Sequence, residues 1–402
     1  MVTDLVMPAW PVFEQDEIAA AESVLRSGKV NYWTGRACTD FEKAWSAMHF
    51  GQHAISMANG SVTMEAALRM LGIKPGDEVI VSPRSYVAST MCVLTAGATP
   101  VFADVDGESG CITPDSVEAA RSSRTRAVIP VHVGGWPCDM PGLVRWANGH
   151  GIAVLEDCAQ AHGGSLEGRP LGTFGTISSW SFCQDKIMTT GGEGGMLCTP
   201  DAGLFRRCWS YSQHGKDYDA SHGVGTGSAA GRFRWLVTGE GTNLRMTEMQ
   251  AAIGLRQLEK LAQWSFARRR NSLIMQRALW GLPGLRVPRT PVGHAHYRCV
   301  VFTEGEHAAR HRDAILQELL LRGIPVSQGS CPEIYLERVF ASRGLTLGRM
   351  LRGDLDADGR LRTARMLGET SLTFLVHHTI DEPTMLRYAE AVRECIGSMR
   401  CA

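Results

Sequence analysis

The chain has 402 residues, of which 44% are apolar and 20% are charged. This composition excludes a disordered or collagen-like chain, and the length suits a large domain joined to a smaller one. The 41 basic and 41 acidic residues balance, so net charge gives no support for a protein that binds nucleic acid or an anionic membrane.

Cysteine usage and the first residues bear on the compartment. The twelve cysteines are scattered, without a C-x-x-C pair or a cysteine-histidine cluster at zinc-ligand spacing. We therefore expect free thiols in a reducing cytosol and no metal site. The chain starts with early acids and an amphipathic helix pattern, which is not typical of a signal peptide, and it has no run of about 18 uncharged apolar residues. A cytoplasmic protein is expected.

The first half of the chain alternates between helix and strand patterns. Helices are predicted over residues 14–26 and 40–49. Further helices are predicted in VTMEAALRMLGI, YVASTMCVLTAG and MPGLVRWANGHG. Short apolar runs predict strands in AISMANGS, DEVIVSP, TPVFADV, TRAVIPVHVGG, IAVLEDCAQ and ISSWSFCQDK. Alternation of this kind predicts crossover units and a largely parallel sheet, with ligands at the C-terminal ends of the strands. Asn59, Asp157 and Lys186 would then meet near one edge.

The second half has a different pattern. Residues 244–278 read as a long amphipathic helix that connects to a second domain. A strand in HYRCVVFT, a helix at 308–322 and a last helix at 381–398 follow. We predict a large domain over residues 1–260 and a small domain over residues 261–402.

The stretch SFCQDKIMTTGGEGG places Lys186 between an apolar run and several glycines. Taken alone, Lys186 is most simply a surface charge, and Asp157 at its strand end is a cap or turn residue. The glycines lack the Lys-Ser/Thr ending of a P-loop and the G-x-G-x-x-G spacing, so a nucleotide-phosphate loop is poorly supported. They more simply let backbone pass close behind a ligand.

Several spaced motifs favour a functional role for Lys186 and Asp157 over these simpler interpretations. They are NGS at 59–61, KPGDEVIV at 74–81, GATPVFADVD at 97–106, VLEDCAQAHGG at 154–164, WSFCQDKIMTTGGEGGM at 180–196 and GTNLRMTEMQAAIGLRQLEKL at 241–261. In this order the chain resembles the sugar aminotransferases of the DegT/DnrJ/EryC1/StrS group, pyridoxal 5′-phosphate enzymes of fold type I. The resemblance implies an α/β fold with a mostly parallel sheet flanked by helices in the large domain, and a smaller C-terminal α+β domain.

The same resemblance assigns residues to the cofactor's ring. Lys186 corresponds to the lysine that forms the Schiff base and carries the proton, with a pKa lowered by burial. Asp157 corresponds to the carboxylate that pairs with the ring nitrogen. Gln160 would contact the ring or its phenolic oxygen, and Tyr86 would stack on the ring, although a core tyrosine is the alternative.

A second set of residues is implied for the phosphate. Gly60 and Ser61 begin a helix directly after a strand, so free N–H groups would face the anion. Ser181 corresponds to a second phosphate hydroxyl. Asn243 would reach the phosphate from the other subunit of a homodimer, while its alternative role is an N-cap for the connecting helix.

Some features depart from the family pattern or lie beside it. This chain carries one extra glycine, Gly191 or Gly192, and residues 329–335 differ from the commoner His-Tyr pattern, which points to a different acceptor. His162, His214 and His377 are expected to be structural or peripheral.

The function implied is amino transfer from glutamate or glutamine to a keto group on a nucleotide-linked sugar. A ketocyclitol acceptor is the main alternative, and a cofactor-binding sensor without activity is a remote one. Sugar 3-dehydrases carry histidine at the position of Lys186, which disfavours them. Nothing before residue 50 resembles a helix-turn-helix, so no nucleic-acid partner is expected.

Overall fold

The protein is described here from a computed structural model, which covers residues 5–223, 236–329 and 333–399. Residues 330–332, in the middle of the substrate-side segment predicted at 329–335, lie outside the described residues.

Helices and strands alternate along most of the described chain. The helices are α1 (Gln15–Ser27), α2 (Ala37–Met48), α3 (Gly60–Met70), α4 (Ala88–Thr95), α5 (Pro114–Ala120), α6 (Met140–His150), α7 (Ala202–Ser212), α8 (Tyr218–Ser221), α9 (Glu248–Leu279), α10 (Ala308–Leu321), α11 (Arg338–Ser342), α12 (Leu347–Met350), α13 (Arg362–Thr370) and α14 (Glu382–Ser398). The strands are β1 (His53–Met57), β2 (Glu78–Val81), β3 (Thr99–Phe102), β4 (Thr125–Ile129), β5 (Ala153–Asp157), β6 (Ser165–Leu166), β7 (Arg169–Pro170), β8 (Ile177–Ser181), β9 (Gly195–Thr199), β10 (Leu285–Arg286), β11 (Cys299–Thr303), β12 (Ser327–Gln328) and β13 (Ser371–Phe374).

The large sheet has seven strands in the order β1-β9-β8-β5-β4-β2-β3. The pairs β8-β5, β5-β4, β4-β2 and β2-β3 are parallel, whereas β9 runs antiparallel to both of its neighbours. The prediction of a mostly parallel α/β sheet is confirmed. The sequence analysis did not predict β9, because GMLCT is short and directly follows the glycines.

Both faces of this sheet are covered. Along β9, Leu197 packs in one apolar cluster while its neighbours Met196 and Cys198 pack in another. Side chains on a strand alternate between faces, so the two clusters lie on opposite sides of the sheet. A sheet buried on both faces exposes its strand ends for a ligand, which positions the site described below.

The C-terminal part is built around a smaller sheet in the order β10-β11-β13-β12. Its apolar cluster includes Met275 of α9 and Leu372 of β13. Helix α9 begins at Glu248, four residues later than expected, because the Thr247 side chain caps it. Residues such as Phe340 and Leu367 pack in the cluster of the large sheet. The division at residue 260 stays a prediction, since α9 crosses it.

The hydrophobicity of the helices and the state of the cysteines can be compared with the expectations from the sequence. Within residues 5–223, 236–329 and 333–399, no helix is long and apolar enough to cross a bilayer. The ten cysteines in this part of the chain are free thiols, as the sequence predicts.

Candidate active site

A cavity of about 660 Å³ opens at the C-terminal ends of the parallel strands. Seven of the eight residues that the sequence analysis selected line it, namely Gly60, Ser61, Tyr86, Asp157, Gln160, Ser181 and Lys186. These residues follow or end four different strands. The parallel sheet therefore brings together residues that are far apart in the chain, as expected for this class of fold.

Asp157 is the last residue of β5 and is 2% exposed. Its Oδ2 accepts a hydrogen bond from the Ser89 hydroxyl at 2.7 Å, and its Oδ1 accepts one from the Ala159 backbone N–H at 3.0 Å. A buried carboxylate needs such donors, because burial without them is costly. The two bonds hold the carboxylate in one orientation at the cavity wall.

Lys186 follows β8 in a turn, and its side chain is only 13% exposed. Its Nζ lies 3.7 Å from Asp185 Oδ1 and 5.3 Å from the centre of the Tyr297 ring. Its backbone oxygen accepts a hydrogen bond from the Trp10 indole N–H at 2.9 Å. The lysine is therefore a nearly buried amine in the cavity and not a surface charge.

The expected direction of the Lys186 pKa is wrong for the protein by itself. Burial does act to lower the pKa of this ammonium, as the sequence analysis assumed. The negative charge of Tyr297 when its phenol is ionised and the carboxylates of Asp185 and Asp157 act in the opposite direction, and the balance is a pKa above the ordinary lysine value. The apolar run before Lys186 indicates burial but carries no information about these charged neighbours, so the direction of the pKa shift does not follow from it.

The start of α3 forms the polar end of the cavity. A Cβ on Gly60 would lie 2.8 Å from Ser181 Cβ, so glycine allows α3 to press against the end of β8. The Ser61 and Ser181 side chains both line the cavity there. The expectation of freely available N–H groups needs correction, because Asn59 Oδ1 accepts from the Ser61 and Val62 backbone N–H groups at 3.0 and 3.1 Å.

The glycine-rich turn passes close behind this end. A Cβ on Gly195 would lie 2.5 Å from the Asn59 carbonyl carbon, so only glycine fits where β9 crosses the start of α3. Gly191 and Gly192 have φ values of 87° and 124°, a region that side chains other than glycine rarely adopt. The extra glycine thus belongs to a turn with left-handed backbone.

Gln160 and Tyr86 complete the walls. Gln160 is buried, and its Oε1 accepts a hydrogen bond from the Gly134 backbone N–H at 2.6 Å, which fixes the direction of its amide. Tyr86 is 64% exposed, so the alternative of a core tyrosine does not apply.

Asn243 is the selected residue that does not line the cavity. It is exposed, forms a β-bridge with Gln213, and its Oδ1 accepts from the Arg245 backbone N–H at 3.3 Å. It is not the cap of α9, since Thr247 takes that position. Its role toward a second subunit stays a prediction.

The histidines selected from the sequence do not line the cavity. Burial lowers the pKa of His162 to about 3 and that of His377 to about 3, so both are neutral at ordinary pH. His214 has a left-handed backbone conformation in the turn after α7.

Buried groups behind Asp157 have the residue types of a metal site, namely His132, Glu156 and Cys158. His132 Nδ1 accepts from the Cys138 backbone N–H at 3.0 Å, so its Nε2 carries the proton toward Glu156 Oε1, also at 3.0 Å. Both ring nitrogens are therefore occupied by hydrogen bonds. This geometry is that of a buried hydrogen-bonded pair that supports β5.

Four further cavity residues were missed from the sequence, namely Ser89, Asp185, Tyr297 and Arg298. Asp185 directly precedes Lys186, so adjacency was an available signal. Ser89 is the second residue of α4 and lies three residues after Tyr86, which precedes that helix. Tyr297 and Arg298 come from the C-terminal part, and their approach is a tertiary contact that no local pattern reveals.

Comparisons with known proteins agree with this architecture. The model of the DegT/DnrJ/EryC1/StrS aminotransferase family matches residues 11–349. A UDP-N-acetyl-3-dehydro-α-D-glucosamine 3-aminotransferase from Acidithiobacillus ferrooxidans is 39% identical over 68% of each chain. An L-glutamine:2-deoxy-scyllo-inosose aminotransferase from Streptomyces fradiae is 38% identical over 71% of this chain and 68% of its own.

A solved structure of an aminotransferase from Psychrobacter cryohalolentis has a TM-score of 0.90 and 43% identity, and covers 97% of this chain and 98% of its own. Likeness of this extent spans both the large sheet and the C-terminal part. The family model matches most of the chain, and the expected residues lie at the strand ends, so the chain belongs to the DegT/DnrJ/EryC1/StrS aminotransferase family.

Proposed function

We propose that the protein uses pyridoxal 5′-phosphate to transfer an amino group from glutamate or glutamine to the keto group of a nucleotide-linked sugar. The observation that carries this proposal is the joint presence of a nearly buried amine, Lys186, and a buried carboxylate, Asp157, on the walls of one cavity. Such chemistry requires two groups from the protein: an amine that can bond covalently to the cofactor, and a carboxylate that pairs with the protonated nitrogen of its ring.

The residues of the cavity fit this cofactor. A volume of about 660 Å³ is within the usual range for cofactor sites. Ser61 and Ser181 offer hydroxyl donors for a phosphate, and the positive end of the α3 helix dipole favours an anion there. Tyr86 offers an aromatic face, and Asp157 offers an oriented carboxylate.

The cofactor, when bound, supplies a carbonyl carbon for the amine and a ring that accepts electrons. The protein's own groups do the rest. Lys186 Nζ would hold the cofactor covalently and, once released, would move a proton to and from the substrate carbon. Asp157 would hold a proton on the ring nitrogen. Gln160, whose amide is fixed by the Gly134 N–H, would help to orient the ring.

The acceptor separates two proposals. The relative from Acidithiobacillus ferrooxidans is named for a UDP-linked keto-sugar, and the almost equally similar one from Streptomyces fradiae is named for a ketocyclitol. We favour the nucleotide-linked sugar and keep the ketocyclitol as the second candidate. An assay with UDP-linked and dTDP-linked keto-sugars beside scyllo-inosose, with L-glutamate and L-glutamine as donors, identifies the pair. Absence of turnover with every pair, despite bound cofactor, would favour a sensor.

We also propose that the protein works as a homodimer, with Asn243 of one subunit acting at the phosphate of the other. Asn243 is exposed, forms an isolated β-bridge with Gln213, and lies outside the cavity of its own subunit. An exposed amide in that position is available to a second copy. A carboxamide donor to a phosphate contributes about 1.5–3 kcal/mol, so Asn243→Ala should lose about tenfold to a hundredfold in activity.

Mixed dimers test this arrangement. We expect a heterodimer of Lys186→Ala and Asn243→Ala subunits, isolated with two different tags, to recover about half of the wild-type activity, because one of its two sites is then intact. The Lys186→Ala homodimer should be inactive, and a heterodimer of Lys186→Ala with wild type should also reach about half. If Asn243 acts within its own subunit, the first heterodimer has no intact site and shows only about half of the residual activity of the Asn243→Ala homodimer.

We further propose a cytoplasmic location. The ten described cysteines are free thiols, nine of them buried, and free thiols of this kind are typical of reducing compartments. Fractionation of expressing cells with a compartment marker tests the location directly.

A further inference from the structure

Asp185 lies between Lys186 and Tyr297 at the cavity wall. Its Oδ2 accepts a hydrogen bond from the Tyr297 hydroxyl, while its Oδ1 is 3.7 Å from Lys186 Nζ. One carboxylate thus contacts both a phenol and an amine. The Asp185 side chain is 48% exposed and that of Lys186 is 13% exposed, so the carboxylate is more accessible to solvent than the amine that it contacts.

The charges around the amine come from several parts of the fold. The groups from the lysine's own turn are Asp185 and Cys183. The titratable or charged groups from other parts of the fold are Asp157 of β5, Tyr297 and Arg298 before β11, His162, and Glu193 on the cavity wall. His162 is neutral because burial lowers its pKa to about 3. Burial raises the pKa of Tyr297, so its phenol is uncharged at neutral pH. Asp157 is occupied by the bonds described above, which leaves Asp185 as the nearest carboxylate.

We propose that Asp185 is a positioning residue that holds the amine of Lys186 as an ammonium ion beside Tyr297, so that the Asp185–Tyr297 pair sets how readily the lysine reacts with a carbonyl compound. The proposal rests on the proposed function, since it concerns the lysine that would hold the cofactor. Tyr297 moderates the effect, because its hydrogen bond takes up part of the carboxylate's negative charge.

The step that this pair controls is formation of a carbon–nitrogen bond. The ammonium first gives one proton to solvent, because only the neutral amine has a free electron pair. The nitrogen then bonds to the carbonyl carbon, and the carbonyl oxygen leaves as water with the two remaining amine protons. Asp185 opposes the first proton loss by its charge, since an opposite charge within about 4–6 Å favours the ionised form. Removing that charge makes the neutral amine more abundant at neutral pH.

The test measures how fast the apoprotein captures pyridoxal 5′-phosphate between pH 6.5 and 9.5, by absorbance, with borohydride trapping and peptide mapping to verify attachment at Lys186. We expect capture by wild type to speed up as pH rises. Asp185→Asn should be about three- to tenfold faster at pH 7.5, because loss of one nearby charge changes a pKa by about half to one unit. Tyr297→Phe should be slower, since the freed carboxylate attracts the ammonium more strongly.

The opposite signs of these two changes distinguish positioning from a general structural role. Asp185→Glu keeps the charge and should behave like wild type. Asp219→Asn is a matched control, because Asp219 is similarly exposed and pairs with Arg206 at 3.3 Å outside this cavity. If Asp185→Asn captures the cofactor no faster than wild type at any pH, the inference is overturned. If wild type itself forms no adduct at Lys186, the proposed function fails first.

Discussion

Replacing Lys186 by alanine should abolish transamination and leave the fold intact. The side chain ends in the cavity, and among residues 5–223, 236–329 and 333–399 its ammonium has no hydrogen bond that holds two elements together. The contact that anchors this turn is made by the backbone oxygen, which accepts from Trp10 and remains after the substitution. Loss of proton transfer alone removes about 10²–10⁴-fold of rate, and loss of covalent attachment adds to it. We therefore expect activity at least about a thousandfold below wild type.

The measurements are the steady-state rate with the best donor and acceptor, the absorbance spectrum with added pyridoxal 5′-phosphate, and the thermal midpoint. Lys43→Ala is a suitable control, since this lysine is 75% exposed on α2 and pairs with Asp40 at 3.9 Å, within its own helix. It should match wild type in all three measurements. Full activity of Lys186→Ala would contradict the assignment of the lysine and with it the proposed chemistry.

Local patterns placed Asp157 and Lys186 at one sheet edge, but the order of the motifs and the resemblance to the DegT/DnrJ/EryC1/StrS group assigned them to the site. Asp157 and Lys186 each follow a short apolar run, and the alternation of strands with helices places both at one sheet edge. The same logic could not reveal β9, since an antiparallel strand inserted between β1 and β8 depends on which strands pair and not on its own sequence. The start of α9 was also misplaced, because the pattern continues through residues 244–247 while the Thr247 cap decides where the helix begins.

The charge state of Lys186 could not be predicted for a different reason. Burial and neighbouring charges act on an amine in opposite directions. The apolar run before Lys186 indicates that the lysine is buried. Tyr297, in contrast, lies 111 residues away in the chain and is brought close to the amine only by folding. Asp185 was adjacent in sequence, but a neighbour in a turn points toward the lysine only for some backbone conformations. The net direction of such a pKa shift therefore depends on the folded structure and not on the local sequence.

Replacing Asp157 by asparagine should lower the rate of the half-reaction with the amino donor at least about a hundredfold. The substitution keeps the size of the side chain and the oxygen that accepts from Ala159, so the end of β5 should keep its conformation. What it removes is the negative charge facing the cavity. Loss of one partner of a buried charge pair costs about 3–5 kcal/mol, and each 1.36 kcal/mol on a barrier is a factor of ten in rate.

Ser89→Ala provides the graded comparison, because it leaves the charge and removes only the hydrogen bond to Oδ2. A bond to a charged group contributes about 1.5–3 kcal/mol, so this variant should lose about tenfold to a hundredfold. Single-turnover rates with L-glutamate and L-glutamine, with cofactor content and thermal midpoint measured on the same samples, separate chemistry from binding and folding. If the charge of Asp157 holds the proton on the ring nitrogen, Asp157→Asn loses far more rate than Ser89→Ala at equal cofactor content. Equal losses in the two variants would mean that the orientation of the carboxylate, and not its charge, is what the reaction requires.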